Sequence, residues 1–146
     1  MNLTKRWKSF FTATLLLSLL SAASAESFLQ VTDAWVRQPP PGASVAAAYL
    51  TIINPGNDDY YITAVDSGRF GAIELHETVE ENGIGRMLHH NFYKIPANSK
   101  FEIKPGSYHL MLFRWKTPLK IDEKIEFNLK QGNGDLLPFT AVVKRP

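Results

Sequence analysis

The chain has no cysteine among its 146 residues, and that absence removes several classes of protein at once. There is no disulfide framework to staple a small exported domain. No thiolate is available as a nucleophile, as a zinc–thiolate ligand or as the short-bonded sulfur of a blue-copper centre. Nor does any thiol near residue 20 offer itself for a thioether lipid anchor. An excess of charge of one sign is also missing, since 16 Lys+Arg stand against 14 Asp+Glu. A nucleic-acid binder would need a basic footprint that this balance does not supply. The apolar run Phe10 to Leu20 falls well short of the roughly 20 residues that span a bilayer as a helix. No nucleophile-elbow motif is present, and nothing positions a carboxylate pair for glycoside hydrolysis. The chain is therefore not read as an enzyme.

What the N-terminus does have is a charged start, Lys5, Arg6 and Lys8, ahead of that apolar run. The small-residue segment Ser21-Ala22-Ala23-Ser24-Ala25 follows. These are the three parts of a secretory signal peptide. Residues 1–25 are expected to be removed near Ala25-Glu26, leaving 26–146 as a single domain. That mature part carries 13 positive and 14 negative side chains. It is expected to be periplasmic or otherwise exported, soluble, monomeric and without a membrane span, its core held by packing alone.

After residue 25 the sequence reads as short strands punctuated by turns. Segments 31–36, 45–53, 60–65, 72–78, 87–95, 100–103, 108–115, 124–129 and 136–143 are rich in β-branched and aromatic residues. Pro39-Pro40-Pro41-Gly42, Asn54-Pro55-Gly56-Asn57, Asn82-Gly83, Pro105-Gly106 and Gly132-Asn133-Gly134-Asp135 break them, each with known turn chemistry. Ala46-Ala47-Ala48 has helix propensity, but Val45, Tyr49, Thr51, Ile52 and Ile53 around it favour a strand. Eight or nine short strands at this spacing suggest an all-β, antiparallel Greek-key sandwich or barrel.

One hairpin can be specified further. With Asn82-Gly83 at the centre of a type I′ turn, Glu81 faces Ile84. Thr78 then faces Met87, and His76 faces His89. Because side chains alternate, His76, Thr78, Met87 and His89 share one face.

The mature part holds only two methionines, Met87 and Met111, and four histidines, His76, His89, His90 and His109, all within residues 76–111. On a strand His109 and Met111 share a face, while Tyr108, Leu110 and Leu112 point to the other. The apolar set is bound for the core, so the imidazole and the thioether lie together where packing gives them no purpose. Imidazole beside thioether suits a soft, monovalent ion: uncharged, polarizable sulfur binds Cu(I) well and hard cations poorly. It also avoids the disulfide chemistry that free thiols meet outside the cytoplasm.

The spacing His76, ten residues, Met87, twenty-one residues, His109, one residue, Met111 resembles the H-x10-M-x21-H-x-M signature of the periplasmic copper chaperones called PCu(A)C. The likeness runs over nearly the whole mature chain. It includes Asp33-Ala34-Trp35-Val36-Arg37 before the proline cluster, Glu74-Leu75-His76-Glu77, and Gly106-Ser107-Tyr108-His109-Leu110-Met111-Leu112. The resemblance implies a cupredoxin-like sandwich that binds one Cu(I) per chain through His76, Met87, His109 and Met111. It implies a copper-accepting partner too, such as a cytochrome c oxidase subunit, and a role in oxidase assembly. Some relatives have Met beside the first ligand, where this chain has Glu77. Other classes consistent with the same residues are a copper buffer, a copper redox protein that recruits His89 or His90, and a metal-free interaction module.

Elsewhere the plainer readings are preferred. His89 and His90 are expected to be half-exposed strand residues outside the ligand set. Trp35 and Trp115 are expected in the core, and Arg37 and Arg86 on solvated faces. The acidic run Glu74, Glu77, Glu80 and Glu81 is expected to be the solvated side of a hairpin.

Overall fold

The computed structural model describes residues 29–145, so the leader assigned to residues 1–25 lies outside the described part. Ten strands are described: β1 Gln30–Arg37, β2 Val45–Asn54, β3 Tyr60–Asp66, β4 Ala72–Glu81, β5 Ile84–His90, β6 Tyr93–Ile95, β7 Ser99–Ile103, β8 Tyr108–Phe113, β9 Lys124–Gln131 and β10 Leu136–Lys144. They hydrogen-bond in the order β5-β4-β8-β2-β1-β10-β9-β3-β6, with β7 paired to β2. No helix is found among the described residues. The all-β expectation holds, with two corrections. The predicted strand 87–95 is broken at Asn91-Phe92 into β5 and β6, and these end up at opposite ends of the hydrogen-bonded path. The pairing is also not antiparallel throughout: β1 and β10 run parallel, with Trp35 beside Val142 and Arg37 beside Lys144. No hairpin constrains two strands so far apart in sequence, so local turn signals carry no information about their relative direction.

β2 organises the middle of the fold. Ala46, Ala48 to Ile52 and Asn54 are buried, because β1 covers one edge while β8 and then β7 cover the other. The helix propensity of Ala46-Ala47-Ala48 is overridden by this pairing. Leu50, Ile62, Leu110, Phe127, Leu129 and Val143, drawn from β2, β3, β8, β9 and β10, meet in one core cluster. Asn54, buried at the end of β2, donates from Nδ2 to the Asp58 and Pro96 carbonyls at 2.8 and 2.9 Å. Its Oδ1 accepts the Gly56 N–H. That satisfaction is what permits a polar side chain in this core.

The β4–β5 hairpin carries the register expected of it. Glu81 pairs with Ile84, Thr78 with Met87 and His76 with His89. Asn82 and Gly83 have φ of 54° and 76°, both positive as a type I′ turn demands. β5 pairs with no described strand but β4 and is exposed along nearly all its length. β4, by contrast, is held between β5 and β8.

Candidate metal centre

Three adjacent strands, β8, β4 and β5, build the site. Register sets His109 opposite His76 and His76 opposite His89, so three imidazoles form one row across the sheet. The His76 and His109 rings have centroids 6.0 Å apart, and those of His76 and His89 are 5.2 Å apart. Met111 lies one step along β8, opposite Glu74, and Met87 one step the other way on β5, opposite Thr78. Leu110 and Leu112 point to the core with no exposure, as alternation requires. His109 is also buried, at 7 % exposure, whereas Met87 stands 56 % exposed.

Met87, His109 and Met111 line a common cavity of about 290 Å³, together with Thr78, Tyr49 and Arg37. Of the four residues singled out by spacing, the structure therefore brings three to one cavity. The fourth, His76, is not among the cavity's lining residues and stands beside His109 in the imidazole row.

Hydrogen bonds fix which nitrogen each imidazole can offer. His109 Nδ1 lies 2.9 Å from the Ser107 carbonyl oxygen. A carbonyl only accepts, so Nδ1 carries the hydrogen and Nε2 keeps a lone pair. His76 Nε2 lies 2.9 Å from Glu74 Oε2, so Nε2–H donates and the lone pair sits on Nδ1. That Nδ1 is buried and has no hydrogen-bond partner. A buried polar atom without a partner is costly, and ligation would remove the cost. Each ring is thus oriented through one nitrogen with the other left bare, which is how metal-binding histidines are commonly held.

The backbone beneath the rings is tied as well. Tyr93 on β6 points its hydroxyl at the His76 carbonyl, 2.6 Å away, and at the His109 carbonyl, 2.9 Å away. Burial pushes this phenol's pKa well above its ordinary value, so it remains a donor at neutral pH.

Several residues differ from the sequence reading. Arg37 is not on a solvated face. Its guanidinium lies 5.8 Å from the Trp35 ring centroid and 5.4 Å from that of Tyr49. It lines the same cavity, with Nε buried and unpartnered. Trp35 is only half-buried, stacked at a tilt on Tyr49 with centroids 4.7 Å apart, and Trp115 is packed partly buried against the core. Burial of the Tyr49 phenol raises its pKa, against the lowering influence of Arg37. The acidic run is divided: Arg86 pairs with Glu81 in solvent, but Glu74 holds His76 and Glu77 holds His90 at 2.9 Å. Glu74 carried a readable signal, standing two residues before His76 and so on the same strand face. Ser107 and Tyr93 carried none, because a backbone carbonyl and a hydroxyl from a distant strand leave no local pattern.

The family model described as "Putative lipoprotein LpqE-like" matches residues 29–143. A relative from Leifsonia xyli subsp. xyli described as "Putative lipoprotein Lxx21020" is 32 % identical over 117 residues, covering 80 % of this chain and 69 % of that protein. Among solved structures, the copper-bound PCuAC domain from PmoF2 superposes with a TM-score of 0.68 at 19 % identity, covering 81 % of this chain and 93 % of that one. The Cu(I) form of DR1885 from Deinococcus radiodurans superposes with a TM-score of 0.65 at 25 % identity, covering 86 % and 82 %. The chain belongs to the LpqE-like family and has the fold of the PCuAC copper-chaperone domains.

Proposed function

We propose that this protein is an exported copper chaperone that binds one Cu(I) through His76, Met87, His109 and Met111 and passes it to a respiratory oxidase copper site. The supporting observation is the state of the two imidazoles. His109 and His76 each have one nitrogen committed to a carbonyl or carboxylate and the other free. His109 shares its cavity with both thioethers. Two imidazoles and two thioethers form a neutral, soft donor set that fits a monovalent d¹⁰ ion. The Arg37 guanidinium in the cavity wall adds a positive charge that opposes the entry of a second cation. The description of the Leifsonia relative as a putative lipoprotein fits an exported protein. In this reading residues 1–25 are the leader, and 26–146 are the working domain.

The unequal exposure of the donors suggests an order of release. His109 is buried and anchored, whereas Met87 stands on an edge strand and is more than half exposed. A thioether is also the weakest of the donors present. An incoming thiolate or imidazole from the partner would attack at the Met87 side as that sulfur leaves, with the histidines holding the ion until last. Transfer of this kind needs no change in the copper oxidation state.

The reading is tested by titrating apo protein with Cu(I) against a competing chelator, which should show one tight site that Met111→Leu weakens. Mixing the loaded protein with an apo oxidase copper-site fragment should then move the metal, and a pure buffer would retain it. Unchanged Cu(I) binding by Met111→Leu would refute the ligand assignment.

A further inference from the structure

Beside the soft donor set lies a second group of donors with different chemistry. Glu74, His76 and His89 each present one ligand atom within 4.8 Å of the other two. All three project from the same face of the β4–β5 hairpin, Glu74 and His76 by their two-residue separation and His89 by its register with His76. The group is accessible from solvent, since His89 is exposed and the Glu74 side chain is 44 % exposed. His76 itself is largely enclosed and turns Nε2 toward Glu74 Oε2, 2.9 Å away.

We propose that Glu74, His76 and His89 form a site for a divalent cation, Cu(II), distinct from the Cu(I) site but drawing on the same His76. Two imidazoles and a carboxylate are borderline-to-hard donors, which suit Cu(II) and Zn(II), whereas paired thioethers select the cuprous ion. The carboxylate supplies a negative charge that a dication needs and a neutral sulfur site lacks. Among first-row divalent ions such a nitrogen and oxygen set binds Cu(II) most tightly. Water reaching the exposed side completes the coordination, and Cu(II) is bound as Cu(II), with no electron transfer. To serve the divalent site, His76 binds through Nε2, which lies 2.9 Å from Glu74 Oε2, and its one ring hydrogen moves from Nε2 to Nδ1. A neutral imidazole has a single lone pair, so Cu(I) held at Nδ1 removes this donor. The three strands β4, β5 and β8 would thus hold copper of either oxidation state, one ion at a time. The exclusion between the two ions rests on the Cu(I) assignment above, whereas the divalent site stands without it.

The experiment is a Cu(II) titration of the apo protein without reductant, followed by electron paramagnetic resonance and by chelator competition. One Cu(II) with nitrogen hyperfine coupling is expected. Loss of a partner that merely orients a ligand costs about tenfold or more in metal affinity, so His89→Ala and Glu74→Gln should each weaken Cu(II) at least about tenfold. His89→Ala should also reduce the nitrogen coupling. Met111→Leu should leave Cu(II) binding unchanged, and His89→Ala should leave Cu(I) binding unchanged. Protein preloaded with Cu(I) should take up Cu(II) correspondingly less. Spectra and affinities identical to the parent protein in both His89→Ala and Glu74→Gln would overturn the divalent site. Full Cu(II) uptake at these residues by Cu(I)-loaded protein would overturn the exclusion. A Met111→Leu protein with undiminished Cu(I) affinity would sink only the cuprous assignment.

Discussion

Met111→Leu is the substitution that most cleanly separates ligation from packing. Met111 is half-buried on β8, opposite Ala47 of β2 and Glu74 of β4. Leucine conserves most of its volume, and exchanges of this kind cost less than about 1.5 kcal/mol. The apo variant should therefore melt within a few degrees of the parent. The thioether is what leucine cannot replace. A ligand that binds only the native state stabilises it by mass action, by about 4.1 kcal/mol when free ligand stands at roughly a thousand times Kd. In a domain of this size one kcal/mol raises Tm by about 4 °C, so Cu(I) should raise the parent's Tm by about 16 °C under that condition. Losing a ligand should cost at least as much as losing an outer partner, which is about 10- to 100-fold in affinity. At a hundredfold loss the same free Cu(I) is only about ten times Kd and contributes about 1.4 kcal/mol. The variant's upshift should then shrink to about 6 °C. The assay is differential scanning calorimetry under anaerobic, chelator-buffered Cu(I). An upshift in Met111→Leu equal to the parent's, with matching apo melting points, would refute ligation by this sulfur.

Other perturbations bear on the rest of the molecule. Acid should weaken Cu(I) binding, because protons compete with the ion for the imidazole lone pairs. Chelator competition at neutral and at acidic pH checks this, and a flat affinity would contradict histidine ligation. Tyr93 predicts the alkaline limit: burial raises its pKa above the ordinary 10.0, so its contribution to stability is fully present below that value and is lost as pH rises above it. Denaturant unfolding should thus show stability falling more steeply above about pH 10 in the parent than in Tyr93→Phe. Phe127 has no exposure and lies 5.8 and 5.1 Å, ring to ring, from Phe70 and Phe139. Phe127→Ala should cost about 3–5 kcal/mol, read from urea unfolding.

The legible part of this structure is the part governed by period and turn chemistry. Asn82-Gly83 dictates two positive φ angles, the turn dictates the register, and the register alone sets His76 opposite His89 and Thr78 opposite Met87. The two-residue step from His109 to Met111 orders them on one face, with Leu110 and Leu112 in the core. What joins these local facts is non-local and left no trace. That β8 lies beside β4, so that His109 meets His76, depends on strand order. The same holds for the parallel meeting of β1 with β10.

Charge was the misleading cue, and the reason is physical. A run of four glutamates reads as a solvated face because an unpaired carboxylate is expensive to bury. Alternation on β4 nevertheless sends Glu74 to the face of His76, while Glu77 turns to the other face and meets His90. Each carboxylate has an imidazole N–H to accept, so half-burial becomes tolerable and the acid becomes a means of orienting a ring. Arg37 repeats the pattern with opposite sign. Its register beside Ala47 on β2 sets it near Trp35 and Tyr49, whose ring faces offer a guanidinium an attraction that offsets part of its desolvation. A charged residue in a strand is thus placed by its parity and its cross-strand neighbour before its charge is considered. Among the described strands the three charges that parity draws out of open solvent, Glu74, Glu77 and Arg37, are the ones that surround the histidines and the methionine-lined cavity.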